Sequence, residues 1–146
     1  MSEQMTLDEV KEQCARLSPW AHFATVGADN APDVVPVHPC WEGDVLWTMV
    51  GTNSVKSRNI QANPNVALHW QVTAEGDGVE IWGRAELFAD LETKRRLWTG
   101  VFDYDLNMFA PEGPDNSPDT AFIAVYPQRA LFVEMYGAKG QRTWRA

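Results

Sequence analysis

Trp47-Thr48-Met49-Val50-Gly51-Thr52-Asn53-Ser54-Val55-Lys56-Ser57-Arg58-Asn59-Ile60-Gln61-Ala62-Asn63-Pro64 is the stretch on which the reading of this chain turns. Trp47 to Val50 has strand chemistry, and Gly51-Thr52-Asn53-Ser54 is a tight polar turn. Ser54 to Ala62 reads as a short helix stopped by Asn63-Pro64. Thr48, Thr52 and Ser54 bring three hydroxyls to the turn, and Lys56 and Arg58 add two cations. The first amides of a helix have no intrahelical acceptor and lie at the positive end of its dipole, so this set suits a phosphate. The plainer alternative is a capped helix with a solvated polar face.

Strands surround this helix on both sides. Upstream, residues 6–18 predict a helix: Thr6 and Glu9 form a capping box, and Leu7, Val10, Cys14 and Leu17 recur at helical spacing. Trp20 to Gly27 and Pro32 to His38 predict a hairpin around Ala28-Asp29-Asn30-Ala31, with Pro36 marking an edge or a bulge. Asp44 to Val50 is a third strand, with Val45, Trp47 and Met49 on one face and Leu46, Thr48 and Val50 on the other. Downstream, Asn65 to Gln71 and Val79 to Phe88 alternate as strands, and Gly83 inside the second predicts a bend or a close backbone approach. Leu91 to Val101 reads as a helix, and residues 102–119 as an irregular, acidic and aromatic segment, a candidate lid or insertion expected to shape a substrate pocket. Thr120 to Tyr126 and Arg129 to Met135 predict two more strands around a Pro127-Gln128 turn, followed by a basic tail carrying Trp144. About seven strands in hairpins with three helices describe a mainly β, α+β fold, an antiparallel barrel in a single domain over residues 1–146.

Composition narrows the function. A net charge of −8 disfavours non-specific binding to nucleic acid or to an anionic membrane surface. No apolar run approaches the roughly 20 residues of a membrane span. The polar, acidic N-terminus has no secretory pattern, so the expected setting is the cytoplasm, with Cys14 and Cys40 reduced. Seven Trp is a high count, and large aromatics serve cores, interfaces and pockets for planar ligands alike. There is no G-x-S-x-G, no G-x-G-x-x-G and no G-x-x-x-x-G-K-[ST]. Neither cysteine shows metal-ligand spacing; His22, His38 and His69 fall on three different strands, which the fold could bring together, but each alone reads as a satisfied strand histidine, and no metal site is assigned. Cys14 lies on an apolar helical stripe and reads as a small buried hydrophobe. His38, at a strand end after Val34-Val35-Pro36-Val37, is the histidine with the best claim to a site.

The order of these pieces resembles the pyridoxamine 5′-phosphate oxidase-like, FMN-binding split-barrel family. The resemblance is carried by Phe23-Ala24-Thr25-Val26-Gly27, by Val34-Val35-Pro36-Val37-His38 and by Leu46-Trp47-Thr48. It continues through Ser54-Val55-Lys56-Ser57-Arg58-Asn59-Ile60, Asn63-Pro64-Asn65-Val66-Ala67-Leu68 and Ile81-Trp82-Gly83-Arg84-Ala85. The resemblance implies a six- to seven-stranded antiparallel split β-barrel with flanking helices, paired as a homodimer with flavin between the subunits. It implies that Ser54 and Lys56 hold the flavin phosphate, with Arg58 as a secondary contact. Trp47 and Thr48 would lie beside the cofactor, Val35, Pro36 and Val37 would line its ring, and Trp144 would approach from the tail. His38 becomes the candidate proton donor. Asp33, His38 and Val55 stand where the oxidase itself carries cations, which points to the wider group of flavin- or deazaflavin-dependent oxidoreductases acting on small organic molecules. The expected cofactor is FMN. The alternatives are the deazaflavin F420, in a reductase, and a non-catalytic flavin- or haem-binding protein on the same fold.

Overall fold

The alternating runs are strands in the computed structural model, which describes residues 3–146 and so leaves the first two residues of the single-domain reading outside the described part. β1 is Glu3–Gln4, α1 is Leu7–Leu17, β2 is Ala21–Val26, β3 is Pro32–Val37, β4 is Cys40–Glu42 and β5 is Val45–Gly51. α2 is Val55–Ala62, β6 is Asn65–Trp70, β7 is Gly78–Phe88, α3 is Leu91–Leu97, β8 is Thr120–Glu134 and β9 is Gly140–Arg145. The capping box at α1 is present, with Thr6 Oγ1 accepting from Glu9 N at 3.1 Å and Glu9 Oε1 accepting from Thr6 N at 3.1 Å.

The strands form one unclosed sheet in the order β1-β9-β8-β7-β6-β2-β3, with β5 added alongside β8 and β4 alongside β5. All pairs are antiparallel except β1 with β9. The described residues form nine strands rather than six or seven, the result of two opposite differences. Three further elements, the short β1 and β4 and the six-residue β9, add to the count. The expected Pro127-Gln128 turn, in contrast, does not exist: β8 runs unbroken through both residues.

β8 shows what the barrel is split around. Its first half pairs with β5 (Thr120 to Val125) and its second half with β9 (Arg129 to Glu134), while β7 follows it along both. At the changeover Trp82 pairs with Arg129 and Gly83 with Pro127, so Gln128 is an extra residue and the ladder slips. Pro127 has no N–H to donate, and it sits where β8 exchanges one neighbour for another. Gly83 is required there: a Cβ would stand 2.5 Å from the Tyr126 carbonyl oxygen.

Two cores share β8. Ala121, Ile123 and Val125 face the barrel interior with Phe23, Leu68, Val79 and Ile81. Phe122 and Ala124, on its other face, join Trp47, Leu97 and Leu106 in a second core beneath α3. β5 divides the same way, with Leu46 and Val50 inward and Trp47 outward, as the alternation predicts. No helix among the described residues is long and apolar enough to cross a membrane.

The segment 102–119 is fastened down. Lys94 Nζ donates to Ser117 O at 2.6 Å, Arg95 grips Asp115 through two 2.8 Å hydrogen bonds, and Trp98 Nε1 donates to Asn107 Oδ1 at 2.6 Å. Phe102 and Tyr104 pack edge-on, with ring centroids 5.6 Å apart, and Leu106 is buried. It is a wall, not a free lid.

Candidate functional site

Ser54 caps α2. Its hydroxyl accepts from Ser57 N at 3.2 Å and lies 2.8 Å from Ser57 Oγ, which in turn donates to Gly51 O at 2.7 Å. This chain of bonds locks the Gly51-Thr52-Asn53-Ser54 turn against the end of β5. The backbone amides of Val55 and Lys56, in the first turn, have no hydrogen-bond partner among the described residues. They are the unsatisfied donors expected at a helix start.

Next to this turn is a cavity of about 980 Å³, ample for a cofactor-sized ligand. One side is Pro36, Val37 and His38 from the end of β3, and another is Thr48, Met49, Val50 and Gly51 from β5. The wall segment contributes Tyr104, Met108 and Phe109, and Trp20 stands at the rim. Lys56 is the one lysine or arginine among the lining residues, and it has no ion-pair partner among the described residues. Asp119 and Thr120, at the start of β8, complete the lining, so the cavity is mostly apolar and carries one cation, Lys56, and one carboxylate, Asp119.

The expected site residues divide. Pro36, Val37, His38, Thr48 and Lys56 line the cavity. Ser54 acts through the turn, as the α2 cap. Arg58 points back to the same turn, with Nη1 donating to Asn53 O at 3.1 Å. Val35 lies one register step from the cavity, across from Phe23 in the β2–β3 ladder. Trp47 belongs to the second core: its indole N–H donates to Glu42 Oε1 at 3.1 Å, and its ring meets Phe88 edge-on at 5.4 Å. The periodicity that put Trp47 opposite Leu46 already contained that outcome. Trp144 is on β9 opposite Ala130 and packs on the barrel core, away from the cavity of its own chain. The basic tail is a strand because β8 continues past Pro127 and offers it an edge. Arg142 in that tail is paired with Glu9.

Reading the sequence by itself missed Trp20 as a cavity residue; the segment 102–119, expected to shape a pocket, contributes Tyr104, Met108 and Phe109 to the lining. Composition marked the loop's aromatics as packing on something, but nothing local says what they face. It also missed a cluster at the cavity edge. His38 Nε2 lies 2.7 Å from Asp103 Oδ1, and Cys40 Sγ donates to the same oxygen at 3.4 Å. The His38 ring also lies against Tyr104, with centroids 4.5 Å apart. Burial pushes the Cys40 thiol up to about 11 and the Tyr104 hydroxyl up to about 12, so both are neutral near pH 7.

Comparisons with known proteins bear on the family and the fold. The family model described as pyridoxamine 5′-phosphate oxidase matches residues 7–134. A Clostridium acetobutylicum protein related to general stress protein 26, of the pyridoxinephosphate oxidase family, superimposes with a TM-score of 0.77 at 16% identity, covering 97% of this chain and 96% of that one. An F420 reductase is 29% identical with a TM-score of 0.58, over 78% of this chain and 90% of that one. A pyridoxamine 5′-phosphate oxidase-related, FMN-binding protein from Nostoc punctiforme has a TM-score of 0.62 at 15% identity, over 92% and 84%. Among curated protein sequences none matches this chain significantly.

Proposed function

The chain belongs to the pyridoxamine 5′-phosphate oxidase family, and on that premise we propose that it is an oxidoreductase that holds FMN in the cavity beside α2 and moves hydride to or from a small organic substrate. The observation that carries this reading is the placement of the cation: one lysine and a helix start at one end of a mostly apolar cavity, with Asp119 as the one carboxylate among its lining residues. A ligand with a phosphate at one end and a flat, mostly apolar ring at the other fits that arrangement.

Lys56 would hold the phosphate as a charge-assisted donor, together with the free amides of Val55 and Lys56. Ser54 keeps the turn in shape, and Arg58 is a second cation one turn along. Thr48, buried on β5, offers a hydroxyl beside the ring, and Pro36 and Val37 bound it from β3. FMN, when bound, supplies the hydride chemistry at its N5 position. His38 is the group on the cavity wall with the chemistry to give or take a proton.

The substrate end follows from what is absent from the lining. With Lys56 used by the cofactor, no second lysine or arginine among the described residues lines the cavity, and the carboxylate of Asp119 does, so an anionic substrate such as a pyridoxamine phosphate lacks a partner. Trp20, Tyr104, Met108 and Phe109 instead present aromatic and thioether surface. A small, uncharged, apolar or aromatic molecule suits them. A homodimer is part of this proposal: Trp144, remote from its own cavity, would approach a flavin only from a second copy.

A second reading, an F420-dependent reductase, is supported by the 29% identity to an F420 reductase. Its acidic tail calls for a basic groove, and Lys139, Arg142 and Arg145 are the candidates. Arg142 is already committed to Glu9, which favours FMN. Mass spectrometry of the cofactor released from purified protein decides. FMN in the released fraction supports the first reading, F420 the second, and a haem Soret band or no cofactor with no affinity for added flavin overturns both.

A further inference from the structure

The His38, Cys40 and Asp103 cluster is not needed for holding a phosphate or a flat ring, and its chemistry is of another kind. His38 and Cys40 flank Pro39. A residue before proline is held toward extended backbone, and alternate residues of extended chain face the same way. Asp103 arrives from the wall segment after α3, 63 residues beyond Cys40. The three side chains bring an imidazole, a thiol and a carboxylate together, with one donor atom of each within 4.8 Å of the others.

Their internal bonding is incomplete. Asp103 Oδ1 is only 2.7 Å from His38 Nε2, yet that buried nitrogen makes no hydrogen bond among the described residues. The Cys40 thiol is buried, and its side-chain partner is this same oxygen at 3.4 Å. One carboxylate oxygen thus serves two groups and satisfies one of them. Three unlike donors that converge without closing their own network are a site for something that accepts all three.

We propose that His38, Cys40 and Asp103 bind a divalent metal ion of borderline softness, such as zinc. Nitrogen, sulfur and carboxylate oxygen are the ligand types zinc takes, whereas a thiol is foreign to the oxygen-only sites of magnesium and calcium. The spacing is near what is required. Zinc bond lengths in a tetrahedron set neighbouring ligand atoms about 3.3–3.6 Å apart. The Cys40–Asp103 separation of 3.4 Å already meets this. The His38–Asp103 pair must open by about 0.6 Å for those bond lengths, and the Asp103 side chain, 68% exposed on its loop, is free to make that move. Three protein ligands leave the fourth position open, the arrangement of reactive rather than structural zinc sites. His38 lines the large cavity, while Cys40 and Asp103 line a smaller one of about 250 Å³. The ion would thus sit between the two. A metal-held water ionises near neutral pH, so with the ion bound the acid on this wall is that water in place of the imidazole. The site stands independently of which flavin the cavity holds.

Cobalt(II) is the probe, because coordination by a thiolate gives a near-ultraviolet charge-transfer band that nitrogen and oxygen ligands do not. Titrating the reduced, chelator-treated full-length protein with cobalt(II) should raise that band to saturation at one equivalent, and added zinc should abolish it. Cys40→Ser should remove the band, Asp103→Asn should weaken cobalt binding by roughly tenfold or more, and Cys14→Ser should leave the band intact. Circular dichroism confirms that each variant is folded, and Asp103→Asn, at an exposed position, is the variant least able to disturb the fold. No band in the wild type, or a band that survives Cys40→Ser, overturns the proposal. Binding unaffected by Asp103→Asn overturns the three-ligand set.

Discussion

Ser54→Ala and Lys56→Ala, two residues apart, should fail in different ways. Ser54 Oγ carries the α2 cap, accepting from Ser57 N at 3.2 Å and contacting Ser57 Oγ at 2.8 Å. Loss of an N-cap hydroxyl costs about 1 kcal/mol, which for a chain of this size lowers the melting temperature by about 3–4 °C. Lys56 makes no ion pair among the described residues, so Lys56→Ala should shift the melting temperature of the cofactor-free protein by roughly 1 °C or less. Its effect belongs to binding. A charge-assisted bond to a phosphate contributes about 1.5–3 kcal/mol, so its loss should raise the FMN dissociation constant roughly 10- to 150-fold. Thermal melting of the cofactor-free proteins and calorimetric titration with FMN read the two quantities separately. FMN affinity within twofold of wild type in Lys56→Ala would refute the assignment of the cavity's cationic end, whatever Ser54→Ala does.

Gly83→Ala places a methyl carbon 2.5 Å from the Tyr126 carbonyl oxygen and 3.2 Å from Pro127 Cα. Overpacking against backbone costs about 1–3 kcal/mol or more, so a melting curve identical to wild type would show that the bulge relaxes freely. Leu97→Ala empties a fully buried position in the second core, at a cost of about 2–5 kcal/mol, and limited proteolysis should then cut within 102–119 sooner than in wild type. The Asp77 carboxyl is held below the usual carboxylate range, first by the hydrogen bond from Met135 N at 3.1 Å and then by Arg16 at 3.0 Å. A depressed folded value means its stabilisation is present above about pH 4 and is lost as pH falls through the folded value. The melting-temperature gap between wild type and Asp77→Asn should therefore be widest near neutrality and close in acid; a gap independent of pH would contradict this.

Local chemistry was legible where it is local in the structure. The Thr6 and Glu9 capping box, the Ser54 cap and the two faces of β5 involve residues a few positions apart, and each formed as the sequence implies. Cavity residues on the strand ends and at the start of α2 were legible for the same reason, since Pro36, Val37, His38, Thr48 and Lys56 lie on elements whose order could be read. Pro127-Gln128 misled because the same residues that make a turn also make a bulge, and only the partner strand's Gly83 selects between them. That the tail around Trp144 is a strand was not legible, because a tail strand exists only when an edge is available, and that edge depends on β8 being continuous. The His38, Cys40 and Asp103 cluster was invisible in principle: its members fall on both sides of three intervening strands, and no spacing rule links them.

β8 is buried on both faces from Ala121 to Val125, with neighbours on both edges. Such a segment has no partial opening available to it, so it is expected to release its amide protons only when the whole molecule unfolds. The wall at 102–119 is covalently continuous with that least-yielding segment and shares the core under its outer face. On the proposed function, chemical selectivity and foldability are inherited together in this chain. A relative could not acquire a different wall by exchanging the loop as a cassette; it would need compensating changes at Phe122, Leu97 and Trp47, and variation in substrate should accordingly appear at the exposed rim, Trp20, Met108 and Phe109, before it appears anywhere deeper.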